Sequence, residues 1–557
     1  MILEMTDYGL TPGCGRGAGP LVARALADAK AAGEPVTLRF APGVYDFLPA
    51  QATRRPLYIS NTIGERDLPG AWRNIGVDLR GVDNLTIDGQ GAVWRFLGPM
   101  TYVAAQGCRN LTLRGLTVDM PRPTMSEMTV EAVDDGGMTC RVHPDSAYEI
   151  DGDRLFFVGE GWRFDGVGPW AQVQQYDPET RRTWRTPYKP LEHARLAREL
   201  APGRVRLQMD RRPEVAAGQV FQMRRGHRTE VGFFFEQCRG VRLENLSVRY
   251  MHGLGVVGQF TDDITLEHVC CAPDPASGRT CAAFADFVHL SGCGGRVLLR
   301  ECTFCGAHDD VLNVHGTHLK VVDQPAPDAL VVRFMHPETY GFEAFFPGDE
   351  IALVASDTLL AERRAVVARA EMLDPRAIRL TLKAPVELPD GGDFVVDNLS
   401  HYPEVEVCGC DLSVVPTRGV LVTTRRRVNI HHNHFFRLGM SALSIADDAA
   451  SWYESGPISQ VDFYHNLVIG CGSPAVLVCP ESARHVQDQW VHGQLEVRRN
   501  VVVLENPADL LLQAKSVRRL VVRDNVICAP DAWQLRLALE HCPEPEAADN
   551  RVVHDPR

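Results

Sequence analysis

A short phrase recurs along the chain and constrains its fold more than any other feature of the sequence. Each copy has a polar turn residue, a run of alternating apolar positions and a second short apolar stretch. Copies begin at Val82, Cys108, Cys238, Thr261, Gly295, Val428, Val461, Leu495 and Leu520. In several places neighbouring copies lie about 22 to 26 residues apart, which is the length of one coil in a parallel β-helix.

The repeated units are predicted to be β-strands. Their apolar residues alternate over short stretches and are rich in β-branched types, with no sustained helical period. Each coil would bury its inward side chains by stacking on its neighbours, with Asn or Gly at the bends between faces. The predicted Asn bends are Asn84, Asn110, Asn245, Asn433, Asn466, Asn500 and Asn525. We therefore predict an all-β protein with a right-handed parallel β-helix, and keep open a β-sandwich with coincidental spacing.

Two stretches interrupt the repeat. Residues 128–223 and 318–398 carry longer strand pairs with turn-rich joints, which predict two β-rich, barrel-like insertions. Insertions in repeat proteins often lie on the binding face, so these two are expected to wall a cleft. An Ala-rich helix at 21–32 would cap the first coil. The predicted segments are 1–127 (cap and first coils), 128–223, 224–317 (central coils with the active site), 318–398, and 399–557 (C-terminal coils).

Composition narrows the class of partner. With 45% hydrophobic and 23% charged residues, the 557-residue chain has enough apolar sequence for a large core. Its net charge of −13 argues against nucleic acid or an anionic membrane as a partner. The opening segment lacks a secretion-signal pattern, so we expect a cytoplasmic protein or the mature form of an exported one. The 16 cysteines, several of them in apolar runs, are interpreted as buried free thiols.

Three aspartates form the most informative cluster in the sequence. Asp286 precedes the adjacent pair Asp309 and Asp310 by about one coil, so stacking would bring all three into one patch. Like charges held that close raise one another's pKa, which suits chemistry that needs one protonated and one ionised carboxyl group. Adjacent strand residues point to opposite faces, so the pair can share a site only at a bend, which we predict at 305–308.

Two other interpretations of this cluster stay open. The first is a solvated turn, which is how we interpret the pair Asp262 and Asp263. The polar residues that follow the aspartate cluster, Asn313 and His315, favour function instead. The second is calcium binding, because hard cations take several oxygen ligands. We expect a site without a metal ion.

Three other polar segments are weaker candidates. Residues 446–456 combine Trp452 and Glu454 with further acidic residues, and an exposed Trp beside acids suits carbohydrate contact. The histidine-rich range 431–434 resembles a metal motif, but no Cys or carboxylate completes it, so a structural role is favoured. The range 225–228, with two arginines and a histidine, is the weakest of the three.

At these residues the sequence resembles glycoside hydrolase family 110, the exo-acting α-1,3-galactosidases. The shared motifs are LRGVDNLTIDGQGAVW, CRNLTLRGLTVDMPRP, FADFVHLSG, GAHDDVLNVHGTH and WYESG. The resemblance implies a parallel β-helix with barrel-like insertions. It also implies metal-independent, cofactor-free and inverting hydrolysis of terminal α-1,3-linked galactose, as in the blood-group B antigen.

The resemblance also implies roles for individual residues. It carries catalytic function over to Asp286, Asp309 and Asp310. We predict that Asp309 is the general acid, with its pKa raised by its neighbours. Asp286 and Asp310 would then orient the attacking water. The expected substrate contacts are Asn313, His315, His289, His308, Trp452 and Glu454.

Two alternative functions stay open. A polygalacturonase-like β-helical hydrolase also has an Asp about one coil before an Asp-Asp pair. The Arg-x-Lys segment expected there for an anionic substrate does not follow His315. A non-catalytic glycan-binding solenoid would instead bind oligosaccharide without turnover. In each case the partner is a glycan, and side-by-side association of β-helices makes a homodimer an expectation as well.

Overall fold

The computed structural model describes residues 1–389 and 391–555. The main body is a solenoid of stacked coils, and each coil contributes strands to three faces of parallel strands. The predicted fold class, a parallel β-helix with two β-rich insertions, is confirmed. Residues 556 and 557 of the predicted C-terminal segment lie outside the described residues.

The first and second faces form one 23-stranded sheet, because two long strands bend from one face into the other. These long strands are Leu85–Phe96 and Arg109–Asp119. The first face also contains Ile2–Glu4, Val36–Arg39, Arg239–Glu244, Asp262–Glu267, Gly294–Arg300, Glu404–Cys408, Arg427–His431, Gln460–Tyr464, His492–Arg498, Val517–Arg523 and Glu546–Ala548. The second face contains Val44–Phe47, Ser247–Val248, Cys270–Cys271, Thr303–Cys305, Asp411–Ser413, His434–Phe436, Leu467–Ile469, Val501–Val503, Val526–Pro530 and Arg551–Asp555.

The third face is a 13-stranded sheet, and both insertions lie near it. Its path comprises Thr53–Pro56, Trp72–Arg80, Thr101–Gln106, Val231–Glu236, Leu254–Gln259, Val288–Ser291, Leu312–Thr317, Val420–Val422, Leu443–Ile445, Val476–Val478, Leu512–Lys515 and Leu537–Glu540. One further short strand, Glu454–Ser455, pairs antiparallel with the end of Leu312–Thr317.

The two insertions are antiparallel and have their own apolar cores. The first has a seven-stranded sheet in the order Arg182–Arg185, Ala171–Asp177, Val220–Arg225, Ser126–Asp134, Gly137–Val142, Arg204–Gln208 and Leu196–Ala201. It also has the three strands Tyr148–Asp151, Arg154–Gly159 and Trp162–Phe164, and the short helix Pro190–His193. The second insertion is a closed barrel of Leu319–Ala326, Ala329–Arg333, Ala377–Leu382, Ala361–Asp374, Glu350–Ala355 and Phe394–Asn398.

An amphipathic helix, Gly19–Ala31, covers the N-terminal coil, close to the predicted range. It buries Val22, Ala25, Leu26 and Ala29 against the solenoid core. The remaining helical elements are the 3-10 turns Met5–Tyr8 and Pro49–Gln51. Among the described residues, no helix has the length and apolar character needed to cross a membrane.

Asparagine side chains join successive coils at one bend. The Oδ1 atom of Asn466 accepts a hydrogen bond from the backbone N of Asn433 at 3.0 Å, and its Nδ2 donates to the carbonyl oxygen of Ile430 at 2.9 Å. Asn500 and Asn525 repeat the pattern on the following coils. This asparagine ladder is buried. It satisfies backbone groups that the bend would otherwise leave unpaired.

The cysteines are free thiols, as predicted, and most are buried or partly buried. Cys302 and Cys410 continue the asparagine ladder toward the N-terminus, since the N–H of Cys410 donates to Asn433 Oδ1 at 2.9 Å. Cys479 is the exception, because its side chain is exposed. The prediction that Cys479 is buried is wrong: the apolar run around it ends at Val478, where the strand stops.

Candidate active site

The three aspartates lie where two successive coils enter the third face. Strands Val288–Ser291 and Leu312–Thr317 pair in parallel. Their register sets Asp286 beside Asp310, whose backbone N donates to Asp286 Oδ1 at 3.2 Å. Asp309 lies in the bend before the strand. One oxygen from each carboxylate lies within 4.8 Å of the other two, so the structure brings the predicted cluster together at a bend.

Arg418, on the next coil, forms an ion pair with Asp310. Its backbone N and Nε both donate to Asp310 Oδ1 at 3.0 Å, and Nη2 donates to Oδ2 at 2.7 Å. A guanidinium that grips both oxygens fixes the plane of the carboxylate. Asp310 is therefore the most rigidly held member of the cluster.

Asp309 is held between two arginines. Arg185, from the first insertion, places Nη2 2.9 Å from Asp309 Oδ1, and Arg228 donates to Oδ2 at 3.1 Å. Burial raises the pKa of Asp309, but the attraction of Arg185 and Arg228 outweighs it and lowers that pKa. The prediction that its neighbours raise the pKa of Asp309 is wrong, because two of those neighbours are arginines. Arg185 and Arg228 are far from Asp309 in the sequence, so spacing alone could not predict that they lie beside it.

Burial dominates the protonation of the other two aspartates. It raises the pKa of Asp286 to about 7, with help from the charge of Asp309. Burial also raises the pKa of Asp310 to about 6, although Arg418 opposes it. Near neutral pH, Asp286 and Asp310 are therefore partly protonated while Asp309 is ionised.

Two histidines lie behind the cluster. His289 Nδ1 is 2.9 Å from Asp286 Oδ2, and His315 Nε2 is 3.1 Å from His289 Nε2. Burial lowers the pKa of His289 to about 4, so this ring is neutral at pH 7. Both side chains are buried. They orient Asp286 from behind, and the prediction that they contact substrate directly finds no support in the geometry.

Glu454 and two asparagines form another part of the cavity lining. Asn61 Nδ2 donates to Glu454 Oε1 at 2.7 Å, and Asn313 Nδ2 lies 3.4 Å from Oε2. Burial raises the pKa of Glu454, but the nearby His315 and His289 lower that pKa by more than burial raises it. The net shift is downward. The Oδ1 atom of Asn313 is buried and has no hydrogen-bond partner among the residues that the structure describes. An unpaired acceptor at this wall is suited to a sugar hydroxyl.

An aromatic platform stands at the mouth of the site. The Trp452 ring stacks on His336 of the second insertion, with centroids 4.2 Å apart and planes at 25°. Trp452 is 43% exposed. Its loop is shaped by Asp448, which accepts backbone hydrogen bonds from Ala450 and Tyr453. An exposed indole face beside acids suits the apolar face of a sugar.

These walls enclose a cavity of about 230 Å³. That is below the roughly 300–1,000 Å³ of pockets for drug-sized ligands, so the cavity suits one sugar ring. The lining residues are Asn61, Arg185, Arg228, Asp286, Asp309, Asp310, Asn313, Arg418, Leu421, Ala446, Asp448, Trp452, Glu454 and Glu481.

The structure separates the predicted contacts into two groups. Asn313, Trp452 and Glu454 line the cavity. His308 does not. His308 Nε2 lies 3.0 Å from Gln222 Oε1, and His308 Nδ1 accepts a hydrogen bond from Arg224 Nε at 3.3 Å. His308 therefore anchors the first insertion. The structure therefore places His308 outside the cavity lining, because the bend that presents Asp309 turns the preceding side chain toward the insertion.

Several lining residues were missed from sequence. Arg185 comes from the first insertion, and Arg418 lies one coil beyond the second. Of the three lining arginines, only Arg228 lies in a segment that the sequence singles out, the range 225–228. Residue 418 is in register with residue 310 on the neighbouring strand. Sequence spacing shows this only if the residues of the second insertion are left out of the repeat length.

The calcium interpretation fits this arrangement poorly. The candidate ligand set at this site is Asp286, Asp309 and Asp310, and three guanidinium groups already neutralise Asp309 and Asp310. A divalent ion there would face three positive charges at short range. The residues present do not fit a calcium site.

Comparison with known proteins decides the family. Family models for the GLAA-B beta-barrel domains I and II match residues 126–221 and 329–391, which fall within the two insertions. The chain is 37% identical over 541 residues to α-1,3-galactosidase A of Bacteroides thetaiotaomicron, covering 96% of this chain and 93% of that protein.

The chain belongs to the α-1,3-galactosidase family, glycoside hydrolase family 110. Within this family it is also similar to α-1,3-galactosidase B of Bacteroides fragilis, at 29% identity over 94% of this chain and 91% of that protein.

Among solved structures, the chain is similar to the A-module of the Azotobacter vinelandii mannuronan C-5 epimerase AlgE6 over the full length of both chains. The TM-score is 0.44 and the sequence identity is 12%.

Proposed function

We propose that the protein is an exo-acting glycoside hydrolase that releases terminal α-1,3-linked galactose from glycans such as blood-group B structures. The observation that carries this proposal is the convergence of three carboxylates in a cavity that suits one sugar ring. The names of the relatives supply the sugar and the linkage. Homodimer formation and the expected lack of nucleic-acid and membrane partners stay predictions.

Asp309 is proposed as the general acid. It is the most exposed carboxylate of the three, with 13% of its side chain accessible, against 7% for Asp286 and 2% for Asp310. Arg185 is half exposed, so an entering substrate can displace it. Losing that attraction would raise the pKa of Asp309 and allow it to carry the proton.

Asp286 and Asp310 are proposed to activate water. Both oxygens of Asp310 are held by Arg418, and both of Asp286 accept or share hydrogen bonds with His289 and a backbone amide. Neither can turn freely toward an anomeric carbon, but each keeps lone pairs that accept a proton from water. Asp309 gives its proton to the leaving oxygen as the C1–O bond breaks. The deprotonated water forms the new C1–O bond.

Inversion at C1 is part of the proposal, and the carboxylate spacing makes its test informative. Inverting glycosidases usually hold acid and base about 6.5–9.5 Å apart, whereas retaining enzymes hold theirs about 5–5.5 Å apart. Here the facing oxygens lie within 4.8 Å. This short spacing is closer to that of retaining enzymes. Inversion is instead supported by the fixed oxygens of Asp286 and Asp310 and by the family resemblance.

The test is NMR of the purified protein with a blood-group B trisaccharide and with linear galactose-α-1,3-galactose. The anomer of released galactose is read at early time, before mutarotation. β-Galactose supports inversion, and α-galactose would show that one aspartate acts as a nucleophile. If neither substrate releases galactose, the proposed function is wrong.

A further inference from the structure

A cysteine, a histidine and a glutamate converge on the outward side of the first face. Glu406 and Cys408 are two residues apart on the strand Glu404–Cys408, so they point the same way. His431 ends the strand of the next coil and is in register with Cys408. One ligand atom from each side chain lies within 4.8 Å of the other two.

The distance between the histidine nitrogen and the glutamate oxygen matches that of two ligands on a small tetrahedral ion. His431 Nε2 lies 3.3 Å from Glu406 Oε1. Two ligand atoms held about 2.0–2.2 Å from zinc at a tetrahedral angle are roughly 3.3–3.6 Å apart. This pair can therefore share an ion with little movement. A thiolate and an imidazole in one site select a zinc-type ion over calcium or magnesium.

The surroundings of His431 fix its ring. The ring stacks on Tyr464, with centroids 4.8 Å apart and planes at 21°. Its other nitrogen, Nδ1, lies 2.9 Å from Nδ1 of His432. Hydrogen bonds to the far nitrogen of a metal-bound histidine orient it and set its tautomer in the same way. The ring is thus already turned with Nε2 toward Glu406.

We propose that Glu406, Cys408 and His431 bind one zinc-type divalent ion, with solvent as the fourth ligand. The three side chains are only partly buried, which leaves solvent access. The ion would clip together the first two coils that follow the second insertion. It lies on the first face, whereas the candidate active site opens on the third, so this proposal does not depend on the proposed function.

Arg296 provides an internal competitor. Its Nη2 bonds to Glu406 Oε2, while Oε1 faces His431. Its positive charge opposes a nearby cation, and its side chain is 57% exposed. Arg296→Ala keeps all three ligands and removes this charge, so it should bind the ion more tightly than the unaltered protein.

The test is a Co²⁺ titration of the full chain after chelator treatment. We expect one equivalent of Co²⁺ to bind with a thiolate-to-cobalt absorption band. Cys408→Ser should abolish that band, and His431→Ala should weaken binding by more than the roughly 10–100-fold typical of changing an outer partner. Cys479→Ser removes the exposed thiol elsewhere in the chain and serves as the matched control, with the band retained.

A second readout follows stability. Zn²⁺ should raise the Tm of the unaltered protein and of Cys479→Ser, but leave that of Cys408→Ser unchanged. Galactose release should be equal in all of them. The proposal is overturned if the unaltered protein binds no Co²⁺, if the band survives Cys408→Ser, or if Arg296→Ala does not tighten binding.

Discussion

At the scale of single residues, the candidate active site is a balance of charge. Three aspartates face three arginines, Arg185, Arg228 and Arg418, inside one cavity. The arginines keep carboxylates ionised, whereas burial favours the neutral acid. The outcome differs for each aspartate because each meets a different number of guanidinium groups. Asp309 is ionised in this balance while Asp286 and Asp310 are partly protonated, so the proposed roles require substrate entry to move a proton onto Asp309.

Replacing the proposed acid should remove turnover and keep binding. Asp309→Asn cannot donate a proton to the leaving oxygen, so we expect kcat to fall by about 100- to 10,000-fold while galactose still binds. Steady-state kinetics and isothermal titration with galactose measure the two effects. Asp135→Asn changes the exposed Asp-Asp pair of the first insertion and should leave both unchanged. A variant at Asp309 with normal kcat would show that another group is the acid.

Removing Arg418 should move the acidic limb of the pH profile. Asp310 must be ionised to take a proton from water, and burial already raises its pKa to about 6. Arg418 opposes that shift, so Arg418→Ala should raise the pKa further. Activity would then be lost at higher pH as the solution is acidified. Profiles of kcat/KM against pH test this, with the exposed Arg369→Ala as control. An unmoved limb would assign it to a different group.

At the scale of elements, the strands and bends were largely predictable, because the period of apolar residues follows the coil. The bends at Asn84, Asn110 and Asn245 adopt positive φ angles, as expected for Asn. The sequence did not reveal that later asparagines are buried and bonded to one another across coils. That pattern depends on register, and register depends on how many residues each loop and insertion removes from the repeat.

The asparagine ladder should contribute strongly to stability. Asn466→Ala leaves the backbone N of Asn433 and the carbonyl oxygen of Ile430 without their partners. Each buried unpaired group costs about 1–3 kcal/mol, so unfolding free energy should fall by roughly 2–6 kcal/mol. Asn429→Ala, on the outward side of the preceding coil, is the control and should cost little. Denaturant unfolding measures both, and equal losses would contradict a special role for the ladder.

At the scale of the whole molecule, the solenoid and each of the two insertions have apolar cores of their own. The solenoid core runs from the N-terminal helix to Trp533, whereas each insertion packs around its own apolar cluster. The sequence predicted that the insertions exist and that they wall a cleft. It could not place Arg185 or His336 in that cleft, since each lies on an insertion whose docking depends on contacts far apart in the chain.

The insertions should open before the solenoid does. Their smaller cores bury less apolar surface per cooperative unit, so their amides should have lower opening free energies. Native-state hydrogen exchange followed by mass spectrometry should show strands such as Val220–Arg225 and Ala377–Leu382 exchanging earlier than the coil strands Arg239–Glu244 and Val288–Ser291. One common exchange rate for all four would show that the protein unfolds as a single unit.

The cavity draws its lining from Asn61 to Glu481, so its parts leave the ribosome at widely separated times. Coils can stack as they emerge, since each needs only its neighbour. The aspartates, Arg185 and Arg228 are thus in place well before Trp452 and Glu481 complete the wall, whereas Arg418 arrives only after the second insertion. A growing chain would pass through a stage in which the reactive carboxylates exist without a pocket to select a substrate. Ligand binding can reward folding only when synthesis is nearly complete.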